Sequence, residues 1–219
     1  SFVAFIDLIK AFDSISREAL WQILLKFGFP RHFVRVLMRL HTNAVMKFKI
    51  NDQADDADVP SMIGVRQGSN SGPVLFLFIM QAAMETMQWP VPEPQFCTAK
   101  KGEAARLYGE RSSRKRGAKC FELPPSLFAD DCAVVFNNRE DMEVGMTYMI
   151  NHLSRFGLNV HVGRGQTASK TECMFFPRPR EPLDGVDLSD IIVTEDGGFI
   201  SFLDKFRYPG SHIGQRLDS

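Results

Sequence analysis

Two adjacent aspartates, Asp130 and Asp131, interrupt an otherwise apolar stretch that runs from Ser126 to Phe136. The β-branched and aromatic residues around them are typical of two short buried strands. A purely structural hairpin usually turns on Asn-Gly or Asp-Gly, and no glycine follows this pair. Two carboxylates in such a setting are costly unless a cation compensates them. The stretch therefore predicts a hairpin whose tip binds a hard divalent cation such as Mg²⁺.

A third aspartate follows the strand that is predicted for the apolar residues 2–6. Asp7 stands at the end of that strand and meets the hairpin tip if the two strands are neighbours in a sheet. Three carboxylates this close repel strongly without metal, whereas with two Mg²⁺ ions they form a phosphoryl-transfer centre. Taken alone, Asp7 is more consistent with a cap on the turn that follows it than with a metal ligand.

Composition bounds the class of protein. The 219 residues hold 26 Lys or Arg and 26 Asp or Glu, so the net charge is zero rather than strongly basic, as an isolated nucleic-acid binder would be. The charge is uneven, because residues 100–119 are basic and residues 181–196 are acidic. The longest apolar run, residues 74–80, is too short to cross a membrane, and we expect no membrane partner.

The cysteines and the chain start indicate the setting. The four cysteines are far apart, so a zinc site is not expected. They are interpreted as reduced, partly buried thiols of an intracellular protein, placed in the nucleus or in a cytoplasmic ribonucleoprotein. The chain starts inside a predicted core strand without an initiator methionine, and we therefore expect it to be a fragment of a longer polypeptide.

Local patterns predict four helices separated by short strands. The helices are expected over residues 16–27, 31–40, 73–87 and 139–156, with Ser14 or Ser16 capping the first and Asn138 capping the last. Strands are expected over residues 44–50, 59–65, 158–162 and 172–176, with two more near the C-terminus. This alternation predicts an α+β fold in which helices pack on one face of an antiparallel sheet.

Three segments resemble motifs A, B and C of reverse transcriptases, and the closest likeness is to those of non-LTR retrotransposons. The segments are residues 7–13 (DLIKAFD), 64–68 (GVRQG) and 128–131 (FADD). Residues 157–159 with residues 169–172 are similar to motif D, and residues 206–210 are similar to motif E. The resemblance implies a polymerase palm over residues 1–217, with a basic insertion or hairpin at 90–120, and a partial right hand that lacks most of the fingers and thumb.

The resemblance also implies roles for single residues. Asp7, Asp130 and Asp131 would bind two Mg²⁺ ions, with Mn²⁺ as an alternative. Lys170 would protonate departing pyrophosphate, unless it is a plain surface lysine. Phe12 would be a gate that excludes a 2′-OH, or else a core aromatic. The remaining assignments are Gln67 and Gly68 at the nucleotide and template base pair, and Arg66, Tyr208 and Gly210 at the nucleic acid.

The function implied is that of an RNA-directed DNA polymerase, a nucleotidyltransferase that adds a dNTP to a primer 3′-OH. Its partners would be an RNA template, a DNA primer, and the endonuclease, fingers and thumb regions of a parent polyprotein. The fragment alone is expected to be feebly active or inactive. Two alternatives stay open: a decayed or repurposed palm that binds RNA or protein without catalysis, and an RNA-dependent RNA polymerase, which the bulky Phe12 disfavours.

Overall fold

The computed structural model describes residues 1–42, 44–46, 49–50, 53–54, 59–65, 68–92, 95–98, 119–122, 125–128, 131–177, 185–208 and 211–214. The helices of this part are α1 (Arg17–Lys26), α2 (Arg31–His41), α3 (Ser71–Glu85) and α4 (Arg139–Ser154). Its strands are β1 (Phe2–Ile6), β2 (Val45–Met46), β3 (Lys49–Ile50), β4 (Gln53–Ala54), β5 (Val59–Pro60), β6 (Gln95–Thr98), β7 (Lys119–Glu122), β8 (Ser126–Phe128), β9 (Asp131–Phe136), β10 (Glu172–Phe175), β11 (Ile191–Ile192), β12 (Phe199–Phe202), β13 (Lys205–Tyr208) and β14 (Ser211–Gly214). The α+β class is confirmed.

The main sheet has six strands in the order β11-β12-β10-β1-β9-β8. Strand β1 is central and pairs antiparallel with both β9 and β10. The predicted sheet was wholly antiparallel, and this detail is wrong because β10 and β12 run parallel. Parallel neighbours need a long connection, and the residues between β10 and β12, which include β11, provide it.

The chain divides into two compact units. The first comprises residues 1–7, 88–150 and 160–219, and it contains the six-stranded sheet. The second comprises residues 8–87 and 151–159, and it contains helices α1 to α3. The predicted single palm-like domain over residues 1–217 stays a prediction.

In the first unit, strand β9 has one buried face and one half-buried face. Cys132, Val134 and Phe136 are buried, and they alternate with half-buried residues that begin at Asp131. Helix α4 packs on the buried face, where Gly145 lies against Phe136; an added Cβ at Gly145 would come within 2.5 Å of that ring. The carboxylate of Asp131 therefore belongs to the face of β9 that this helix does not cover.

In the second unit, the helices pack through apolar residues at helical spacing. Leu20 and Leu24 of α1 and Phe76 and Ile79 of α3 are fully buried, and α1 contacts both α2 and α3. Burying each such side chain stabilises the fold by about 1.5–3 kcal/mol. This core fixes the loops at the ends of the three helices.

Several local predictions are confirmed. The Ser16 side chain accepts a hydrogen bond from the backbone N–H of Ala19 and caps α1. Asn138 accepts one from the N–H of Asp141 at the start of α4. The hairpin of β8 and β9 is also present, with Phe128 opposite Asp131. Such features depend on neighbours in sequence, which is why their residue patterns predict them.

Three strand predictions need correction, and the first is the strand over residues 59–65, of which only Val59–Pro60 is a strand. Strand β8 was expected to be buried, but it is the edge strand, and Ser126 and Leu127 are exposed. Residues 158–162 were expected to form a strand, but they lie outside every strand of the described residues. The Asn159 carbonyl accepts from the N–H of Ile9, and the His161 N–H donates to the Asp7 carbonyl. The backbone groups of residues 159 and 161 therefore form hydrogen bonds with Ile9 and Asp7, which follow β1, and not with a strand of the sheet.

No helix in the described ranges combines the length and the apolar character needed to cross a lipid bilayer.

Candidate functional site

The pairing of β1 with β9 brings Asp7 and Asp131 to the same end of the sheet. The antiparallel register places Ile6 opposite Cys132. Asp7 is the next residue after Ile6, and Asp131 is the residue before Cys132, so the continued register sets the two aspartates opposite each other. Opposed residues in an antiparallel pair project to the same face. Both aspartates are half-buried, and that they form part of an acidic metal site stays a prediction.

The backbone of Asp7 is fixed by two residues that follow much later in the chain. Its N–H donates to the Thr171 hydroxyl oxygen at 3.1 Å, and that hydroxyl donates to the Asp7 carbonyl at 3.4 Å. The same carbonyl accepts from the N–H of His161 at 2.8 Å. Thr171 is fully buried. Asp7 therefore has a set backbone position although it lies just beyond the end of β1.

Lys170 lies beside this anchor. Its backbone N–H donates to Nδ1 of His161 at 3.3 Å, which leaves the proton of a neutral imidazole on Nε2. The buried hydroxyl of Ser169 donates to the carbonyls of His161 and Thr171. The Lys170 side chain is exposed. The segment that carries this lysine is thus held at the end of the sheet where Asp7 lies.

Glu172 adds a further negative charge. It opens strand β10, directly opposite Phe5 of β1. Burial raises the pKa of Glu172, and the negative charge of Asp7 raises that pKa further. The acidic end of the sheet therefore contains mutual repulsion between carboxylates, which a bound cation relieves.

The donors present fit a divalent metal. Carboxylate oxygens are the ligands that Mg²⁺ prefers, and Asp7 and Asp131 are set opposite each other by the strand register. Among the described residues, no three acidic, His or Cys side chains already form a metal cluster. Asp130, the other predicted ligand, lies outside the described residues.

Phe12 lies in the second unit. Its ring is half-buried and packs on the ring of Phe76, with 4.8 Å between centroids. Its carbonyl accepts from the N–H of Val65 at 2.9 Å. Gly68 is exposed and has a φ of +78°, and no atom of the described residues lies within 4 Å of where its Cβ would be. The packing on Phe76 accommodates either reading of Phe12, as a core aromatic or as a gate.

The other predicted site residues are described in part or not at all. Arg66, Gln67 and Gly210 lie outside the described residues, as do residues 99–118 of the basic segment. The strands that flank that segment, β6 and β7, pair antiparallel. Tyr208 ends β13, and its backbone pairs with Ser211 of β14. The antiparallel strands β13 and β14 therefore lie on either side of residues 209–210 of the predicted motif E, which are outside the described residues.

Two buried thiols flank the acidic residues in sequence. Cys132 follows Asp131 and Cys173 follows Glu172, and both cysteines are free. Burial raises the pKa of each thiol to about 12, so both are protonated at neutral pH. They act as apolar core residues and not as metal ligands. These two cysteines are free, as expected, and they are fully rather than partly buried.

Sequence reasoning missed three residues that shape these segments: His161, Thr171 and Arg17. The histidines carry no metal-ligand spacing, so His161 had no signal. Thr171 falls inside the segment that resembles motif D, directly after Lys170. Arg17 looked like an ordinary first-turn residue of α1. Each acts through hydrogen bonds to distant parts of the chain, which a local pattern does not contain.

Comparison with known proteins agrees with these observations. Residues 1–177 match the family model described as "Reverse transcriptase (RNA-dependent DNA polymerase)". The chain is also similar to the retrovirus-related Pol polyprotein from type-2 retrotransposable element R2DM of Drosophila melanogaster, with 24% identity over 163 residues. That alignment covers 74% of this chain and 13% of the polyprotein.

The two comparisons confirm the predicted resemblance to a non-LTR retrotransposon reverse transcriptase and the predicted class of enzyme, a nucleotidyltransferase. Members of the family generally use divalent metal ions, and the carboxylate oxygens of Asp7 and Asp131 are ligands that such ions prefer. The chain belongs to the reverse transcriptase, or RNA-dependent DNA polymerase, family.

Proposed function

We propose that the protein containing this chain extends a DNA primer on an RNA template, and that the described sheet is the palm of a right-hand polymerase. The observation that carries the proposal is the pairing of β1 with β9, which sets Asp7 opposite Asp131. In the reaction, the primer 3′-oxygen bonds to the α-phosphorus of a dNTP, and the bond to the pyrophosphate oxygen breaks. Such chemistry depends chiefly on positioning and charge.

Asp7, Asp130 and Asp131 are the proposed ligands for two Mg²⁺ ions, with Mn²⁺ as a substitute. Divalent ions in such a centre lower the pKa of the attacking hydroxyl and stabilise the leaving oxygen. The protein contributes carboxylates on a fixed backbone, and the hydrogen bonds of the Asp7 backbone to Thr171 and His161 support this for Asp7. The repulsion that raises the Glu172 pKa supports a need for cations at this end of the sheet.

Lys170 is the proposed proton donor to pyrophosphate. A lysine acts as a general acid when its ammonium reaches the leaving oxygen. Its segment is bonded to His161, and the next residue, Thr171, is bonded to Asp7. An exposed, long side chain on a fixed backbone suits this role.

Removing the Thr171 hydroxyl tests the anchor of Asp7. In Thr171→Val, the Asp7 N–H loses its acceptor, and we expect kcat for primer extension to fall about 10- to 100-fold with little change in KM for dNTP. Thr171→Ser keeps the hydroxyl and is the matched control, expected to stay near the parent. Steady-state extension of a primer on an RNA template measures kcat and KM for each variant. Equal activity of the two variants contradicts the role of the hydroxyl.

Phe12 is the proposed gate against ribonucleotides. A ring against the sugar excludes a 2′-OH by repulsion, which is discrimination by a clash with the wrong substrate. Packing on Phe76 supports the role, because a gate needs a ring that does not move aside.

Truncating this ring tests the gate. Phe12→Ala is expected to lower the preference for deoxynucleotides at least about tenfold, through a higher kcat/KM for ribonucleotides. Single-nucleotide incorporation with a dNTP and its ribonucleotide partner measures the ratio. Leu77→Ala, at an exposed residue of α3, is the control for apolar truncation. An unchanged ratio in Phe12→Ala leaves the residue with a packing role only.

The remaining assignments concern the nucleic acid. Gln67 is the proposed hydrogen-bond partner near the nucleotide, and Gly68 allows the backbone to approach the template base pair. The lack of any described atom within 4 Å of a Cβ at Gly68 supports that role. Arg66, Tyr208 and Gly210 are the proposed contacts to template and primer, and a basic side chain such as Arg66 makes such contacts salt-sensitive.

The parent protein provides the test of the whole proposal. Its endonuclease, fingers and thumb regions are the proposed partners of this palm, and the chain alone is expected to extend primers feebly or not at all. Incubation of the full-length protein with an RNA template, a DNA primer, dNTPs and Mg²⁺ is expected to yield full-length DNA. Failure of the full-length protein to extend under these conditions contradicts the proposed function.

A further inference from the structure

Arg17, the first residue of α1, makes hydrogen bonds with all of its side-chain N–H groups. Nε donates to the Gly64 carbonyl at 2.7 Å. Nη1 donates to the carbonyls of His41 at 2.8 Å and Ser61 at 2.7 Å. Nη2 donates to the Ser61 hydroxyl at 3.0 Å and to the Ile63 carbonyl at 3.1 Å. A guanidinium has five such donors, so this network is complete.

The network is specific to arginine. All five acceptors are uncharged, and four are backbone carbonyls. Lysine has only three donors on one atom and does not span these acceptors. The bonds fix residues 61–64 against the start of α1 and the end of α2, although this segment belongs to neither helix.

The segment that Arg17 fixes, residues 61–64, and the next residue, Val65, also make backbone hydrogen bonds to the loop between β1 and α1, which carries Phe12. The N–H of Gly64 donates to the Ile15 carbonyl at 2.8 Å, and the N–H of Val65 donates to the Phe12 carbonyl at 2.9 Å. The two backbones touch, since a Cβ at Gly64 would lie 2.8 Å from Cα of Asp13. Residues 61–65 therefore lie against the backbone of the loop that carries Phe12, and the Arg17 hydrogen bonds fix these residues there.

We propose that Arg17 is a positioning residue for nucleotide selection, which fixes Phe12 through residues 61–65. The inference rests on the proposed role of Phe12 as the gate. A gate discriminates by steep repulsion, so a displacement of the ring by about 1 Å is enough to admit a hydroxyl group. Loss of the Arg17 network allows that displacement while the Phe12 side chain itself is intact.

The test compares Arg17→Lys and Arg17→Met in the full-length protein. We expect both to lower the ratio of kcat/KM for a dNTP to that for its ribonucleotide partner about tenfold or more, mainly by a gain with the ribonucleotide. Arg155→Met, at an exposed arginine, is the charge-matched control and is expected to keep the parent ratio. Equal loss of efficiency with both nucleotides in the Arg17 variants indicates a structural role only and overturns the inference.

A double-mutant cycle distinguishes the proposed positioning role of Arg17 from the proposed gate role of Phe12. In a Phe12→Ala background, Arg17→Lys is expected to change the ratio no further, because the two residues act through one ring. A further, additive loss overturns the inference. If Phe12→Ala lowers the ratio and Arg17→Lys alone does not, the gate stands and the role of Arg17 fails. If Phe12→Ala leaves the ratio unchanged, the gate fails and the inference falls with it.

Discussion

Asp7→Asn is expected to reduce primer extension on an RNA template by about 10³-fold or more, which corresponds to the several kcal/mol that metal-assisted charge stabilisation supplies. The amide keeps the size of the side chain and removes its charge. The backbone bonds of Asp7 to Thr171 and His161 do not involve the carboxylate, so the fold is expected to persist. Rapid-quench extension by the full-length protein measures the loss.

Thermal unfolding of the same variant gives a second readout. The negative charge of Asp7 raises the pKa of Glu172, which means that the two carboxylates repel each other. We therefore expect Asp7→Asn to unfold, without metal, at a temperature no lower than the parent. Asp190→Asn, at an exposed aspartate of the same unit, is the control and is expected to keep full activity. Normal extension by Asp7→Asn contradicts the metal-ligand assignment.

Gly64→Ala is expected to destabilise the protein by about 2–4 kcal/mol, more than a change of backbone preference alone explains. Gly64 has a φ of +77°, and an added Cβ would lie 2.8 Å from both Cα and the carbonyl oxygen of Asp13. These atoms belong to the backbone and do not move aside as a flexible side chain does. The backbone at residues 12–13 or at Gly64 has to shift, and urea unfolding followed by circular dichroism measures the loss of stability.

Gly28→Ala provides the matched control. Gly28 has a similar φ of +86° and nothing within 4 Å of an added Cβ. Its substitution is expected to cost only about 1–2 kcal/mol, the penalty for an L-residue in the left-handed region. The difference between the two variants isolates the close backbone approach at Gly64. If the two substitutions lower the free energy of unfolding equally, the close backbone approach at Gly64 contributes nothing to the loss of stability.

The sequence is informative wherever a structural signal is local. Ser16 and Asn138 cap the helices that they were predicted to cap, because a cap bonds an N–H only three residues away. The hairpin of β8 and β9 is likewise a local feature. The burial of β8 was predicted wrongly, because its place at the sheet edge depends on which strand lies beside it.

The candidate site divides in the same way. The sequence indicates Asp7, Asp131 and Lys170 by residue type and by their order within motifs. It does not indicate that the Thr171 hydroxyl bonds Asp7, 164 residues earlier, or that Arg17 bonds Gly64, 47 residues later. Hydrogen bonds over such separations depend on the strand register and on helix packing, which no short window of sequence contains.

The amino-acid sequence by itself determined the chemistry available to this protein: its carboxylates, their order along the chain and the helices between them. Only the tertiary structure decided which groups face one another, because sheet register sets Asp7 opposite Asp131 and helix packing sets Arg17 against residues 61–64. A helix cap involves residues only a few positions apart in sequence, whereas a functional site requires that backbone segments far apart in sequence be fixed together.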